Sequence, residues 1–99
     1  MAEVIWTAPA LNDLNDIADY IAISNVTAAK KMVQNVFSNV TRLEDFPESG
    51  KIPMELENLN YREIIINPCR IFYKINVERV FILHVMRQER DLRKFLLQN

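Results

Sequence analysis

The chain has 99 residues, of which 49% are hydrophobic and 25% are charged. This length fits one domain, residues 1–99, with one modest core, and this composition is typical of a folded soluble protein rather than a disordered one. The sequence has no apolar run of about 18 residues and no basic segment followed by an apolar one at its start, so neither a membrane span nor a secretory signal is expected.

The charged residues are distributed unevenly, although the net charge is only −1. Residues 1–49 carry three basic residues against seven acidic ones, whereas residues 50–99 carry nine against six. An anion-binding surface is therefore expected in the second half, while the small net charge argues against general nucleic-acid binding. Cys69 has no second cysteine with which to form a disulfide, which suits a reducing cytosol, and we expect a cytoplasmic protein.

The first half of the chain predicts a short strand and two helices. Thr7 follows the β-prone run Val4-Ile5-Trp6 and is a suitable helix N-cap, as is Asn25 for a second helix. Phe46-Pro47 ends the second helix, because the residue before a proline avoids helical geometry. Only a few residues separate the helices, which predicts an antiparallel hairpin. The apolar positions at helical spacing are Leu11, Leu14, Ile17, Ala18 and Ile21, then Ala29, Met32, Val33, Val36, Phe37, Val40 and Leu43.

The second half predicts three strands followed by a short helix. The strands fall at about 60–66, 69–76 and 79–87, and the helix at about 91–97. The third strand is apolar at consecutive positions, so both of its faces should be covered. The hairpin can cover one face, and the terminal helix or a partner molecule should cover the other. The predicted fold class is α+β, with an N-terminal strand, an antiparallel helical hairpin, a small antiparallel sheet and a short C-terminal helix.

Four residues are expected in the core, namely Leu14, Val36, Phe37 and Ile82. Phe37 is the largest of them, and its replacement by alanine is expected to cost on the order of 3–5 kcal/mol of unfolding free energy. A loss that large would unfold much of a domain of this size.

Arginines lie within the predicted strands or just beyond their ends. A guanidinium is a planar, permanently charged fork for phosphate or carboxylate, although each arginine could equally pair with a neighbouring acid. Arg70 differs because it sits mid-strand between apolar residues, where an ion pair must be specially arranged. Tyr73 could stack on bases, although strand tyrosines commonly pack inside. The candidate partner-binding residues are Arg62, Arg70, Tyr73, Arg87, Arg90 and Arg93.

No catalytic residue, metal site or cofactor is expected. His84, the single histidine, lies inside an apolar strand, which favours a packed or hydrogen-bonded role over catalysis. Cys69 has no neighbouring base to activate it, and one Cys with one His is too few ligands for a structural zinc. Asp13, Asp16 and Asp19 are better explained as a solvated helix face than as metal ligands.

Several segments of the chain, taken in order, resemble one known family. They are Trp6-Thr7, Asp13-Leu14, Tyr20-Ile21, Asn25, Ala28-Ala29, Arg42-Leu43, the run from Phe46 to Lys51, Tyr61-Arg62-Glu63, the run from Cys69 to Ile75, Ile82-Leu83-His84-Val85 and Arg90-Asp91. The family is the ParE branch of the RelE/ParE type II toxin superfamily. No single segment is specific, but the resemblance extends over nearly the whole chain.

This resemblance implies a bacterial toxin neutralised by an antitoxin whose C-terminal segment wraps around it. ParE-type toxins poison DNA gyrase, which stabilises broken DNA and stops replication, whereas RelE-type relatives cut mRNA on the ribosome. The implied partners are a ParD-like antitoxin, in a hetero-oligomer, and DNA gyrase, with no sequence-specific nucleic-acid binding and no membrane.

A comparison with RelE-like chains favours binding over nuclease chemistry. In those chains the first strand after the hairpin carries a lysine pair, and the terminal segment carries a tyrosine. Here the strand is Arg62-Glu63-Ile64-Ile65, the terminal segment offers Phe95, and a carboxylate at Glu63 would repel RNA. Two alternatives stay open: an mRNA interferase with an altered site, and an inert relative that acts only as a co-repressor with its antitoxin.

Overall fold

The computed structural model describes residues 1–88, which form a helical hairpin packed on one face of a four-stranded sheet. The elements are β1 (Glu3–Trp6), α1 (Ala8–Ala22), α2 (Val26–Val40), β2 (Arg62–Ile66), β3 (Cys69–Asn76) and β4 (Arg79–Arg87). Short 3-10 turns at Thr41–Glu44, Pro47–Ser49 and Met54–Leu56 lie between α2 and β2. The predicted order of elements is confirmed up to β4. The helix predicted at 91–97 lies outside the described residues.

The sheet has the strand order β1-β4-β3-β2 and is mixed rather than purely antiparallel. Strands β2, β3 and β4 form the expected antiparallel meander. Strand β1 adds to β4 in parallel, from Glu3 opposite Arg79 to Trp6 opposite Ile82. Strand β4 is therefore a central strand, with β1 on one side and β3 on the other.

Both helices begin where the sequence predicts. The Thr7 hydroxyl accepts a hydrogen bond from the Ala10 amide at 3.4 Å, and the Asn25 side chain accepts one from the Ala28 amide at 2.9 Å. Such N-caps satisfy amides that have no partner inside the helix. The hairpin then buries most of its apolar stripe against the sheet, with Leu11 and Phe37 left partly exposed and α1 lying over β4.

One extra residue in β4 explains why its apolar pattern does not alternate. Phe72 of β3 pairs with His84, but the next residue, Tyr73, pairs with Ile82, so Leu83 is an extra residue in the ladder. A β-bulge of this kind shifts the alternation by one position. Ile82 and Val85 consequently both join the core under the hairpin although they are three residues apart.

The face of the sheet opposite the hairpin carries a second, smaller apolar cluster. Phe72 and Met86 are buried there, and Leu56 packs against them from the Met54–Leu56 turn. Within residues 1–88, the Met54–Leu56 turn therefore covers part of this outer face. The sequence predicts that a terminal helix or a partner covers the same face.

The predicted core is correct except at Phe37. Leu14, Val36 and Ile82 are buried, but Phe37 is 38% exposed and its ring lies 4.8 Å from the Trp6 ring, at the margin of the core. Neighbouring helical residues point about 100° apart, so Val36 and Phe37 cannot both face the sheet, and Val36 takes the central position. The large cost expected for Phe37→Ala was therefore based on a wrong assignment.

Leu14 and Leu11 provide a matched test of which face of α1 is buried. Leu14 is 3% exposed and Leu11 is 43% exposed on the same helix. We expect Leu14→Ala to lower the unfolding free energy by about 2–5 kcal/mol, because it leaves a cavity. Leu11→Ala should cost less than about 1 kcal/mol. Urea unfolding followed by circular dichroism measures both, and equal losses would contradict the orientation of α1 described here.

Candidate functional site

Helix α1 covers the edge of β4 beyond the point where β1 ends. The Thr7 hydroxyl donates to the Ile82 carbonyl at 2.7 Å. Nearly two turns further along the helix, the Asp13 carboxylate accepts from the Val85 amide at 3.1 Å and lies 3.3 Å from Nδ1 of His84. Asp13 is therefore not on the solvated face assigned to it from sequence, whereas Asp16 and Asp19 are exposed. His84 has the hydrogen-bonded role that its apolar strand predicted.

Arg70 is held by two carboxylates on the outer face of the sheet, opposite the hairpin. Its Nε donates to Glu63 at 2.8 Å, and its two terminal nitrogens donate to the two oxygens of Glu55 at 2.9 and 3.1 Å. Its guanidinium also lies 5.0 Å from the centre of the Phe72 ring. Only 11% of the Arg70 side chain is exposed. Glu55 and Glu63 are therefore the specially arranged ion-pair partners that a mid-strand arginine requires, and both belong to this chain.

Electrostatics reinforce this network. The hydrogen bonds that Arg70 donates to Glu55 are the main cause that raises its pKa, the hydrogen bond to Glu63 and the charge of Glu63 add to this, and burial opposes it. Lys51 adds a weaker interaction, with its Nζ 3.9 Å from Glu63. Three of the five N–H donors of this guanidinium are used inside the chain, and its charge is matched by two carboxylates.

Tyr73 and Arg62 hold the segment before β2 through hydrogen bonds to its backbone. The buried Tyr73 hydroxyl donates to the Pro47 carbonyl at 2.7 Å and accepts from the Gly50 amide at 2.9 Å. Arg62 donates to the carbonyls of Gly50 and Glu48 at 2.8 and 3.3 Å. A Cβ on Gly50 would collide with the Tyr73 hydroxyl and would lie 2.7 Å from the Glu63 carbonyl, so this contact requires glycine. The sequence-based assignment of Tyr73 to a partner surface is corrected, because its side chain has no exposed area.

Arg87 lies at the end of β4 beside helix α1. Its guanidinium stacks over the Tyr20 ring, 4.8 Å from the centroid, and Tyr20 is 60% exposed. Together with Asp16 and Met86 they line a depression of about 350 Å³. Sequence reasoning missed Tyr20 as a site residue, although its position one helical turn after Asp16 and Ile17 places it beside the strand.

The candidate arginines within residues 1–88, which are Arg62, Arg70 and Arg87, do not form one cluster. Arg70 pairs with Met86 and Arg87 with Cys69, so Arg70 and Arg87 lie on opposite faces of the sheet. Arg62 is the first residue of β2, and its guanidinium donates hydrogen bonds to the carbonyls of Glu48 and Gly50. Arg90 and Arg93 lie outside the described residues. A partner-binding role for Arg62, Arg87, Arg90 and Arg93 remains a prediction.

The part of the chain that the structure describes offers neither a cluster of metal ligands nor a membrane-spanning helix. Within residues 1–88, no group of three or more His, Cys, Asp or Glu side chains is placed to hold a metal ion. Over the same residues, no helix has both the length and the apolar character needed to cross a membrane.

Comparison with known proteins agrees with the fold and with the sequence resemblance. Residues 4–92 match the family model for the ParE toxin of the type II toxin–antitoxin system parDE. Toxin RelE2 of Caulobacter vibrioides is 35% identical over 68 residues, which are 69% of this chain and 73% of that protein. The chain is therefore a type II toxin of the RelE/ParE superfamily, and it belongs to the ParE toxin family.

Two solved structures share the fold. The chromosomal ParDE toxin–antitoxin system from P. aeruginosa aligns with a TM-score of 0.75 and 25% identity, over 90% of this chain and 98% of that chain. The RelBE2 toxin–antitoxin complex from Mycobacterium tuberculosis aligns with a TM-score of 0.57 and 20% identity, over 88% of this chain and 98% of that chain. At 20% identity, the similarity to the RelBE2 complex shows a shared fold and nothing more.

The Tyr73 hydroxyl should contribute to stability in a pH-dependent way. Burial is the main cause that raises the pKa of Tyr73 above its ordinary value of 10.0. The folded state therefore holds the phenol proton more tightly than the unfolded state. The contribution of the Tyr73 hydroxyl to the unfolding free energy is complete below pH 10 and is lost as the pH rises further. Tyr73→Phe should cost about 1–3 kcal/mol, because the Pro47 and Gly50 backbone groups lose their partner.

Unfolding free energies measured from pH 7 to 11 test this prediction, with Tyr20→Phe as the exposed control. The control should match the unmodified chain at every pH. A Tyr73→Phe chain that declines as steeply with alkaline pH as the unmodified one would contradict the role given to this hydroxyl.

Proposed function

We propose that this chain is a toxin that acts by binding DNA gyrase and trapping broken DNA, without cutting nucleic acid itself. The single observation that carries the proposal is the state of Arg70. A nuclease of this superfamily would need cations arranged around a scissile phosphate to stabilise its transition state. Here the most central arginine of the sheet is bonded to Glu55 and Glu63, so its charge is already matched.

Glu63 supports the same conclusion because it is buried and is already paired within the chain. Its carboxylate is 4% exposed and contacts both Arg70 and Lys51. The four charged side chains Arg70, Lys51, Glu55 and Glu63 together carry no net charge, so this surface offers RNA no excess positive charge. A binding mechanism requires no chemistry from this surface, since the gyrase itself cleaves the DNA.

The proposed assembly is a hetero-oligomer with a ParD-like antitoxin in the cytoplasm. The solved structure that is 25% identical is described as a ParDE toxin–antitoxin system, which supports an antitoxin partner. The gyrase contact is proposed at the exit of β4, where Arg87 stacks on the exposed Tyr20 and where the chain continues to Arg90 and Arg93.

A second candidate function, ribosome-dependent mRNA cleavage, is favoured by one observation. The relative that is 35% identical carries the name RelE2 rather than ParE. The two candidates differ in what accumulates in the cell: linear DNA bound to gyrase in one case, and cut mRNA in the other.

A plasmid cleavage assay tests the gyrase proposal directly. Purified chain is added to gyrase, supercoiled plasmid and ATP, and linear DNA is quantified after protein digestion. We expect linear DNA with the unmodified chain and at least about tenfold less with Arg87→Glu, because charge reversal replaces attraction with repulsion. Arg79→Glu is the matched control, since Arg79 is an exposed arginine at the opposite end of β4. Arg90→Glu should behave like Arg87→Glu.

The cellular experiment separates the two candidate functions. The chain is expressed in cells that carry a DNA-damage reporter, and abundant mRNAs are mapped by primer extension. An active reporter with intact mRNA is the expected result. Codon-phased cuts in mRNA with a silent reporter would replace the gyrase proposal by the nuclease alternative.

A further inference from the structure

Helix α2 and the turn after it are locally basic within an acidic half of the chain. Residues 1–49 carry a net negative charge, yet no acidic residue occurs between Asp19 and Glu44. All the basic residues of that half lie in this interval and are exposed, namely Lys30, Lys31 and Arg42. The small net charge of the whole chain therefore conceals one positively charged segment.

Four exposed polar side chains form a stripe along this segment. They are Lys31, Asn35, Ser38 and Arg42. Their spacing of four, three and four residues places them on one face of a helix. The stripe extends over about 16 Å, because an α-helix rises about 1.5 Å per residue. It has a cation at each end, with an amide and a hydroxyl between them.

The charges and donors of this stripe are available to a ligand. Among the ion pairs formed within residues 1–88, none includes Lys31 or Arg42. The Asn39 amide group donates to the Oδ1 atom of Asn35 at 2.8 Å, so the N–H donors of Asn35 are the part of its amide left to face outward. The stripe therefore presents two positive charges and amide donors, which suits an anionic ligand rich in acceptors.

A shallow depression of about 560 Å³ lies beside the stripe. Within residues 1–88 it is lined by Lys31, Met32, Gln34, Asn35, Ser38 and Asn67. The polar members supply an ammonium, amides and a hydroxyl, and none of them is a carboxylate. Lysine binds phosphate oxygens, while asparagine, glutamine and serine bind both phosphates and base edges. This set of groups fits a nucleic acid.

The shape of the stripe favours double-stranded DNA over RNA. The major groove of B-form DNA is about 12 Å wide and admits an α-helix, whereas the major groove of A-form RNA is too narrow for side chains to read. Two long cationic side chains about 16 Å apart along a helix can reach phosphates on the two sides of that groove. The amide and hydroxyl between them then face the base edges.

The two adjacent lysines of α2 have different surroundings. Lys31 shares its depression with Asn67 of the β2–β3 turn, on the side of α2 away from α1. Lys30 instead lines the groove between α1 and α2, together with Asp19. One lysine is therefore on the stripe, and the other lies off it beside an acid.

We propose that α2 contacts duplex DNA directly through this stripe, with Lys31 and Arg42 on phosphates and the Asn35 amide over the base edges. The contact lies on the helical hairpin and is separate from the gyrase contact proposed at the end of β4. It goes beyond the proposed function and does not depend on it. Two phosphate contacts give weak, salt-dependent binding, so this surface adds to a larger assembly on DNA rather than recruiting the chain alone.

Fluorescence anisotropy with a labelled DNA duplex of about 20 base pairs tests this contact. The full chain is titrated at salt concentrations from about 50 to 200 mM, without gyrase or antitoxin. Two phosphate contacts predict that the logarithm of the association constant falls against that of salt with a slope of about −2. Lys31→Gln and Arg42→Gln should each weaken binding on the order of tenfold at about 50 mM salt and make the slope shallower by about 1.

Lys30→Gln is the matched control, because it removes the same charge from the adjacent exposed lysine that lies off the stripe. It should change the association constant by less than about twofold and leave the slope unchanged, since Lys30 contacts no phosphate in this arrangement. Asn35→Ala should weaken binding without changing the slope, because a neutral amide releases no counterion. Circular dichroism of each variant verifies that the helices are intact.

Three results would overturn the proposal. Equal losses for Lys30→Gln and Lys31→Gln would show that the attraction belongs to the charged surface as a whole. An RNA duplex bound as tightly as the DNA duplex would contradict the placement of α2 in a major groove. No measurable binding of the DNA duplex at about 50 mM salt would remove the contact altogether. Each of these results leaves the gyrase proposal standing, because the assay contains no gyrase.

Discussion

The extra residue in β4 is the feature on which the arrangement of the other elements depends. Strand β4 pairs with β1 as far as Ile82, and the bulge follows at Leu83. At that point the neighbour of β4 changes from a strand to a helix, because Thr7 and Asp13 of the α1 region take over the hydrogen bonds of the edge. An edge left open inside the domain would carry unpaired backbone groups at considerable cost.

The same arrangement fixes how α1 is rotated about its axis. The bonds from Thr7 and Asp13 hold two turns of the helix against one strand, with Leu14 buried beneath. Tyr20 is then set beside Arg87 at the end of the strand. On the opposite face, Arg70 is bonded to the acids that flank it. The two arginines therefore differ in surroundings: Arg70 is held between two carboxylates on the outer face, and Arg87 stacks on an exposed tyrosine beside the hairpin.

Local features were predictable from the sequence, whereas features that depend on distant residues were not. The helix caps Thr7 and Asn25 follow from side-chain chemistry within three residues, and both are confirmed. Phe37 was misassigned because periodicity alone does not rank neighbouring apolar residues on a helix. The pairing of β1 with β4 joins residues about 76 apart, and no local pattern specifies it. Arg70 was recognised as exceptional, but its partner Glu55 lies in a segment whose sequence has no clear period.

The close contact at Gly50 makes this domain sensitive to a single added carbon. Tyr73, Arg62 and the Lys51–Glu63 bridge all meet the chain within one residue of Gly50, and a side chain there would push the segment away from the sheet. Lifting that segment would uncover more of the β2 edge while leaving the helical hairpin in place. A side chain at Gly50 would therefore expose backbone groups of an edge strand, which favour self-association.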